Sequence, residues 1–335
     1  MSDDRQRPSA PQKNSKRSKK SSARGAEGGA EGGSSGPSAL SPSQVEQLLA
    51  GDDLSGLTQD TLIALGVLTL KGGASPSAHR KLKQVKHFLQ LIAPALDELF
   101  ERYEEPVLVD MGAGKAAMSL AIYDRWVRAH GRGKVIAVES RPELVERVRE
   151  ATRAHYPRFE AHEAEILSAH LPERVHLTLA LHACDLATDH AIYRALLSKS
   201  DHVALVPCCQ AEFAQLLKPI KGKRAGEEAS GAVASLWSDA WHRREFGAHL
   251  TNVTRALALR AMGYAVTVTE LIGWEHSVKN ELILARRVAR FHRGARAELE
   301  SLLSVIPVRP WLLTKLHELS WGELAQESAQ AQESV

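Results

Sequence analysis

The segment Pro106-Val-Leu-Val-Asp-Met-Gly-Ala-Gly-Lys-Ala116 constrains this chain more than any other. Its apolar run ends in an acid, turns on Gly112 and Gly114, and passes into the helical pattern Met118–Trp126. A short apolar run bounded by a glycine turn reads as a strand buried on both faces, as parallel strands are. A second such run, Val135-Ile-Ala-Val-Glu139, ends in an acid about 25 residues after the glycines. Strand, glycine turn, helix and strand together open a doubly wound α/β sheet. The glycines let the backbone approach a ligand closely, and an acid at the second strand tip can accept both hydroxyls of a ribose. The unit therefore predicts a site for an adenosine-containing cofactor.

A dinucleotide site wants G-x-G-x-x-G, with the pyrophosphate on a helix N-terminus. No third glycine stands at that spacing, and Asp110 precedes Gly112 by two residues. A carboxylate there repels a pyrophosphate and suits a cationic amino-acid group. These residues resemble the class I S-adenosylmethionine-dependent methyltransferases, whose first motif is an acid followed by G-x-G-x-G. Ala116 stands where the third glycine would be and narrows the room beside the methionine moiety. The resemblance implies S-adenosylmethionine seated on Gly112 and Gly114, with Asp110 near its amino group and Glu139 on the ribose. Glu139 is expected to be solvated when no ligand is present. Glu165, in Glu163-Ala-Glu-Ile-Leu167, is the candidate for the adenine amine, and His182 is a further cofactor-side candidate.

The alternation of patterns predicts a Rossmann-like seven-stranded sheet with helices on both faces. Strands are expected at 106–110, 134–139, 158–162, 176–182, 202–206, 265–271 and 281–286, with helices notably at 142–155, 186–198 and 247–262. Only residues 273–280 join the last two strands, which predicts an antiparallel pair at one sheet edge. Residues 1–40 are Ser, Gly, Lys, Arg, Pro and Glu with almost no apolar residue, a composition expected to stay disordered. A small helical lead-in follows over 41–75, then the main domain over 76–290 with a long polar insertion at 212–246. Residues 291–335 are read as one more helix and a polar tail. A long helix from Ser77 carries the apolar stripe Leu82, Val85, Phe88, Leu89 and Ile92, with Arg80, Lys81, Lys83 and Lys86 mainly on its other faces.

In open α/β sheets ligands bind beyond the C-terminal strand ends. The fourth strand ends in Leu181-His-Ala-Cys-Asp185, followed by Ala187-Thr-Asp189, and the fifth in Val206-Pro-Cys-Cys-Gln210. With Trp274-Glu-His-Ser-Val-Lys-Asn-Glu281, these look like one branch of the superfamily. It comprises the methyltransferase-domain proteins related to the glutathione-S-transferase-C-terminal-domain-containing protein and to the ribosomal-RNA-adenine-dimethylase-domain-containing proteins. The resemblance covers about residues 78–288 and specifies no acceptor. The Asn/Asp-Pro-Pro-Tyr/Phe motif of amino-methylating relatives is absent, which disfavours adenine-N6 or amide acceptors. Asp185, Lys279, Glu281 and a lysine of the basic helix resemble the lysine–aspartate–lysine–glutamate set of ribose methyltransferases. Cys208 sits where cytosine-5 enzymes carry a nucleophilic thiolate, although a free cysteine more often packs as a small apolar group. Asp185, Lys279 and Cys208 are therefore the catalytic candidates. A metal site from His182, Cys184 and the cysteine pair lacks C-x₂-C spacing, and none is expected.

Net charge locates the partners. The chain carries +3 overall, yet residues 1–24 hold eight Lys/Arg against Asp3 and Asp4, or +6. The other 311 residues hold 35 basic and 38 acidic side chains, or −3. Affinity for RNA or the ribosome is therefore expected through residues 5–24 and through the basic helix at 80–86. Trp237 and Trp241 beside Arg243 and Arg244, and Trp274 near His276, add aromatic–basic interleaving that suits RNA. No run of 18 uncharged apolar residues appears, so no membrane span is expected. Three cysteines without a disulfide framework suggest a reducing cytoplasm. Methyl transfer to RNA is the leading expectation. A protein or small-molecule acceptor, and a non-catalytic RNA-binding module, are the alternatives.

Overall fold

The computed structural model describes residues 54–69, 73, 75, 78–181, 183–207, 210–218, 233–271, 281–306 and 308–318, all within one compact unit. The basic arm, His182, Cys208, Cys209, the link 272–280 with Trp274, His276, Lys279 and Asn280, and the tail lie outside the described residues.

Seven strands form one sheet: β1 Val107–Met111, β2 Lys134–Glu139, β3 Phe159–Glu163, β4 Leu177–Ala180, β5 His202–Leu205, β6 Tyr264–Glu270 and β7 Glu281–Arg287. Their order is β3-β2-β1-β4-β5-β7-β6. The first five run parallel, and β7 lies antiparallel between β5 and β6. The order reverses between β1 and β4, and at such a switch point the flanking connections leave in opposite directions and open a crevice.

Both faces are covered, which is why the central strands read as unbroken apolar runs. On one face lie α1 Gln59–Ala64, α2 Ala78–Arg102, α3 Ala117–Ile122 and α4 Pro142–Thr152. The stripe of α2, Leu82, Val85, Phe88, Leu89 and Ile92, is buried in one cluster with Leu108, Leu177, Leu179 and Ala204 of the sheet. The other face packs Val109, Ile136, Val203 and Ile283 under α5 Leu186–Leu197 and α8 Ala240–Ala261. The helix α3 continues as a widened π turn, Tyr123–Arg128. That turn buries Asp124, which accepts hydrogen bonds from Thr58 N, Thr58 Oγ1 and Thr61 Oγ1 at 2.9, 2.9 and 2.6 Å. The lead-in is thereby docked on the main domain.

The insertion departs most from the sequence reading. It contains α6 Glu212–Leu217 and α7 Ser235–Ser238, and α8 begins at Ala240 instead of near residue 247. Trp237, read as an aromatic beside arginines, is buried with Phe213, Leu217, Leu250 and Ile306, and stacks on Phe246 at 5.9 Å. Trp241 is the exposed one, with the Arg244 guanidinium 4.3 Å from its ring centre. Among the described residues beyond β7 lie two helices where one was expected, α9 Arg293–Val305 and α10 Trp311–Glu318.

Candidate active site

The turn after β1 is held from three sides. Gly112 and Gly114 take φ of +70° and +60°, which a side chain would strain. The amides of Gly112 and Ala113 donate to Val138 O at 2.8 and 2.9 Å. The Gly114 amide donates to Glu139 Oε2 at 2.8 Å. Asp110 is buried below the turn and accepts from Ser119 Oγ at the start of α3.

Glu139 is not solvated as the sequence suggested. It is 6% exposed, because its carboxylate is turned onto the glycine loop and covered by Arg141. Arg141 donates from its backbone amide and Nε to Oε1 at 3.1 and 2.9 Å, and from a terminal nitrogen to Oε2 at 3.1 Å. Burial alone would raise the pKa of Glu139. The hydrogen bonds from Arg141 and Gly114 outweigh it and hold the carboxyl below its ordinary value. Arg141 escaped the sequence reading; the signal was its place between the strand-tip acid and Pro142, which opens α4.

A cavity of about 250 Å³ opens beside this cluster, lined by Gly112, Glu139, Arg141, Glu165, Ala183 and Cys184 among others. The structure thus brings together Gly112, Glu139 and Glu165 from three successive βα turns. Asp110 and Gly114 are not among its lining residues; they hold the turn, Gly114 through Glu139 and Asp110 through Ser119. Ala116 is wholly buried in the apolar core at φ 52°, so its methyl packs against protein and not into the cavity.

Asp185 follows Cys184, a lining residue, and takes φ 52° and ψ −122°. Its Oδ1 accepts from the amides of Ala211 and Glu212 at 2.9 and 3.3 Å. Its carbonyl accepts from Arg255 at 2.8 Å. Arg255, 1% exposed, grips Asp189 through Nε at 2.9 Å and a terminal nitrogen at 2.6 Å. It also contacts Asn252, whose amide reaches Glu281 at 2.8 Å. This buried chain joins the β4 loop to α8 and the start of β7. The convergence expected of Asp185 with Cys208 and Lys279 falls on residues of which two lie outside those described.

The residues present fit a nucleoside. A mirror-handed glycine turn gives close backbone approach, and the strand-tip acid is held ionised. Arg141, whose side chain is 59% exposed, is free to yield the carboxylate oxygens to ribose hydroxyls.

Residues 80–216 match a family model described as a methyltransferase domain. The match covers 137 of the 335 residues and, with the sheet order found here, supports a methyltransferase whose methyl donor is S-adenosylmethionine. Among solved structures it is similar to the SAH-bound methyltransferase PaMTH1 of Podospora anserina, with a TM-score of 0.40 and 14% identity over 75% of this chain and 97% of that one. A 23S rRNA methyltransferase, ErmE, gives a TM-score of 0.37 and 16% identity over 63% and 74%. The N-methyltransferase NodS of Bradyrhizobium japonicum gives 0.35 and 12% over 60% and 94%. No curated protein sequence matches the chain.

Proposed function

We propose that this chain transfers the methyl group of S-adenosylmethionine to RNA. The cavity at the tips of β1 and β2, with Gly112, Glu139 and Glu165 in its wall, carries the cofactor half of this reading. Gly112 and Gly114 admit the cofactor close to the backbone, Glu139 receives the ribose, and Glu165 faces the adenine amine. Asp110 fixes the turn through Ser119, close to where a cationic amino group would lie. When bound, the sulfonium supplies an electrophilic methyl; the protein's part is to position it and keep water away.

The acceptor half rests on charge. Residues 78–96 contain Arg80, Lys81, Lys83 and Lys86 and no acid, on the helix that packs next to the strand tips. Phosphates are attracted to such a run by counterion release. The exposed Trp241–Arg244 pair adds a surface on which a base can stack. Asp185 is proposed as a positioning residue, since its Oδ1 is committed to two backbone amides. Calorimetry with S-adenosylhomocysteine and transfer of labelled methyl into total RNA test the two halves separately. Absence of cofactor binding sinks the first, and label found in protein alone sinks the second.

A further inference from the structure

A second cavity, of about 330 Å³, lies between the lead-in, α2 and the strand tips. Its walls are Phe88, Met118, Leu181, Val206 and Leu65, with Lys81 and Gln84 as its polar members. Leu181 lines this cavity and Ala183 lines the cofactor cavity, so the two lie at either side of one short loop. Met118 is the second residue of α3, just after the glycine turn.

Resting on the methyltransferase reading, we propose that this cavity takes the acceptor as a single uncharged nucleobase, swung out of an RNA strand. Three observations carry this. The nine described lining residues include no Asp or Glu. A protonated lysine or arginine acceptor would enter an apolar pocket without a countercharge and would face Lys81, at a heavy desolvation cost. A planar ring, by contrast, is matched by the Phe88 ring and by the aliphatic walls. Lys81 is fixed at the mouth, where its Nζ donates to Gly66 O at 2.8 Å, and the Lys83 and Lys86 of the same helix continue the positive run. Phosphates flanking a flipped nucleotide therefore meet cations on the outside, while the ring meets carbon on the inside. A ribose hydroxyl as acceptor would leave this apolar volume unused.

The experiment uses the full chain, S-adenosylhomocysteine as cofactor probe and a short single-stranded RNA of mixed sequence as acceptor probe. Leu65→Trp fills the half-buried mouth without adding charge, and Gln84→Glu adds a carboxylate without changing volume. Both variants should keep the melting temperature and bind S-adenosylhomocysteine within about twofold of wild type, since the cofactor cavity is separate. RNA affinity should fall roughly tenfold in Gln84→Glu, as a like charge meets the strand, and methyl transfer should be lost in Leu65→Trp. Digestion of labelled RNA to nucleosides should find the methyl on a base. Label on the ribose hydroxyl or in protein, or unchanged RNA affinity and transfer in both variants, overturns the inference while leaving the methyltransferase reading intact. Failure of the wild type to bind S-adenosylhomocysteine overturns that reading itself.

Discussion

Two side chains show how residues near the site divide structure from chemistry. Glu139, proposed above to receive a ribose, also holds Gly114 in place. Replacing it by Ala should weaken cofactor binding by about 1.5–3 kcal/mol, the range for a hydrogen bond to a charged group. It should also lower the melting temperature, because the Gly114 amide loses its acceptor; calorimetry and thermal scans read the two effects apart. Asp185 sits in a backbone region that costs a non-glycine residue about 1–3 kcal/mol, and its two amide contacts and the grip of Arg255 offset that strain. Asp185→Asn keeps an acceptor and should fold almost as well as wild type. Asp185→Ala should lose about 1–2 kcal/mol in urea denaturation, as for a lost cap. That Gly112, Glu139 and Glu165 come together at one edge of the sheet was legible in the sequence, because each lies at or just beyond a strand tip. Arg141 and Arg255 were not, since nothing in a one-dimensional pattern tells an arginine bound to a carboxylate from a solvated one.

At the level of elements, periodicity did most of the work. Strands β1, β2, β4 and β5 and the α2 stripe stood out because burial on both faces, or on one, leaves an apolar pattern, which the edge strand β3 lacks. The insertion hid its helices, because α6 and α7 are too short to show a period and the first turns of α8 are polar. The π turn after α3 was equally invisible, yet it decides how α1 is held. Asp124 gathers two threonines of the lead-in and Arg128 at 3.0 Å. Asp124→Ala should therefore release α1: hydrogen exchange should rise over Gln59–Ala64 while β1 and β4 stay protected. Uniform loss of protection across the sheet would mean that α1 is part of the cooperative core and not a docked element.

For the whole molecule, acid sensitivity follows from buried histidines. Burial lowers the pKa of His176, His190 and His202 below the ordinary value of about 6.5. The unfolded chain then takes up protons that the native fold refuses, so stability is full above that value and falls as pH drops through the depressed folded values. Glu139 adds a further loss below its ordinary value of about 4.3. Glu212, raised by burial, works in the opposite sense. His176 accepts from the Val107 amide at 2.9 Å, a bond that protonation of Nδ1 abolishes. His176→Gln should accordingly flatten the fall in melting temperature between about pH 7 and about pH 5; an unchanged slope would assign the effect to the other histidines. Deleting residues 1–40 should leave the melting temperature unaltered and reduce the salt dependence of RNA affinity. One edge of the sheet has a different consequence. Strand β6 is last in the order, and Ala265, Thr267 and Val268 along it are exposed, without the lysine or proline that commonly guards such a strand. An open ladder of this kind is a template for like chains, so the fold that builds the site also sets a ceiling on how concentrated the protein can become before it begins to aggregate.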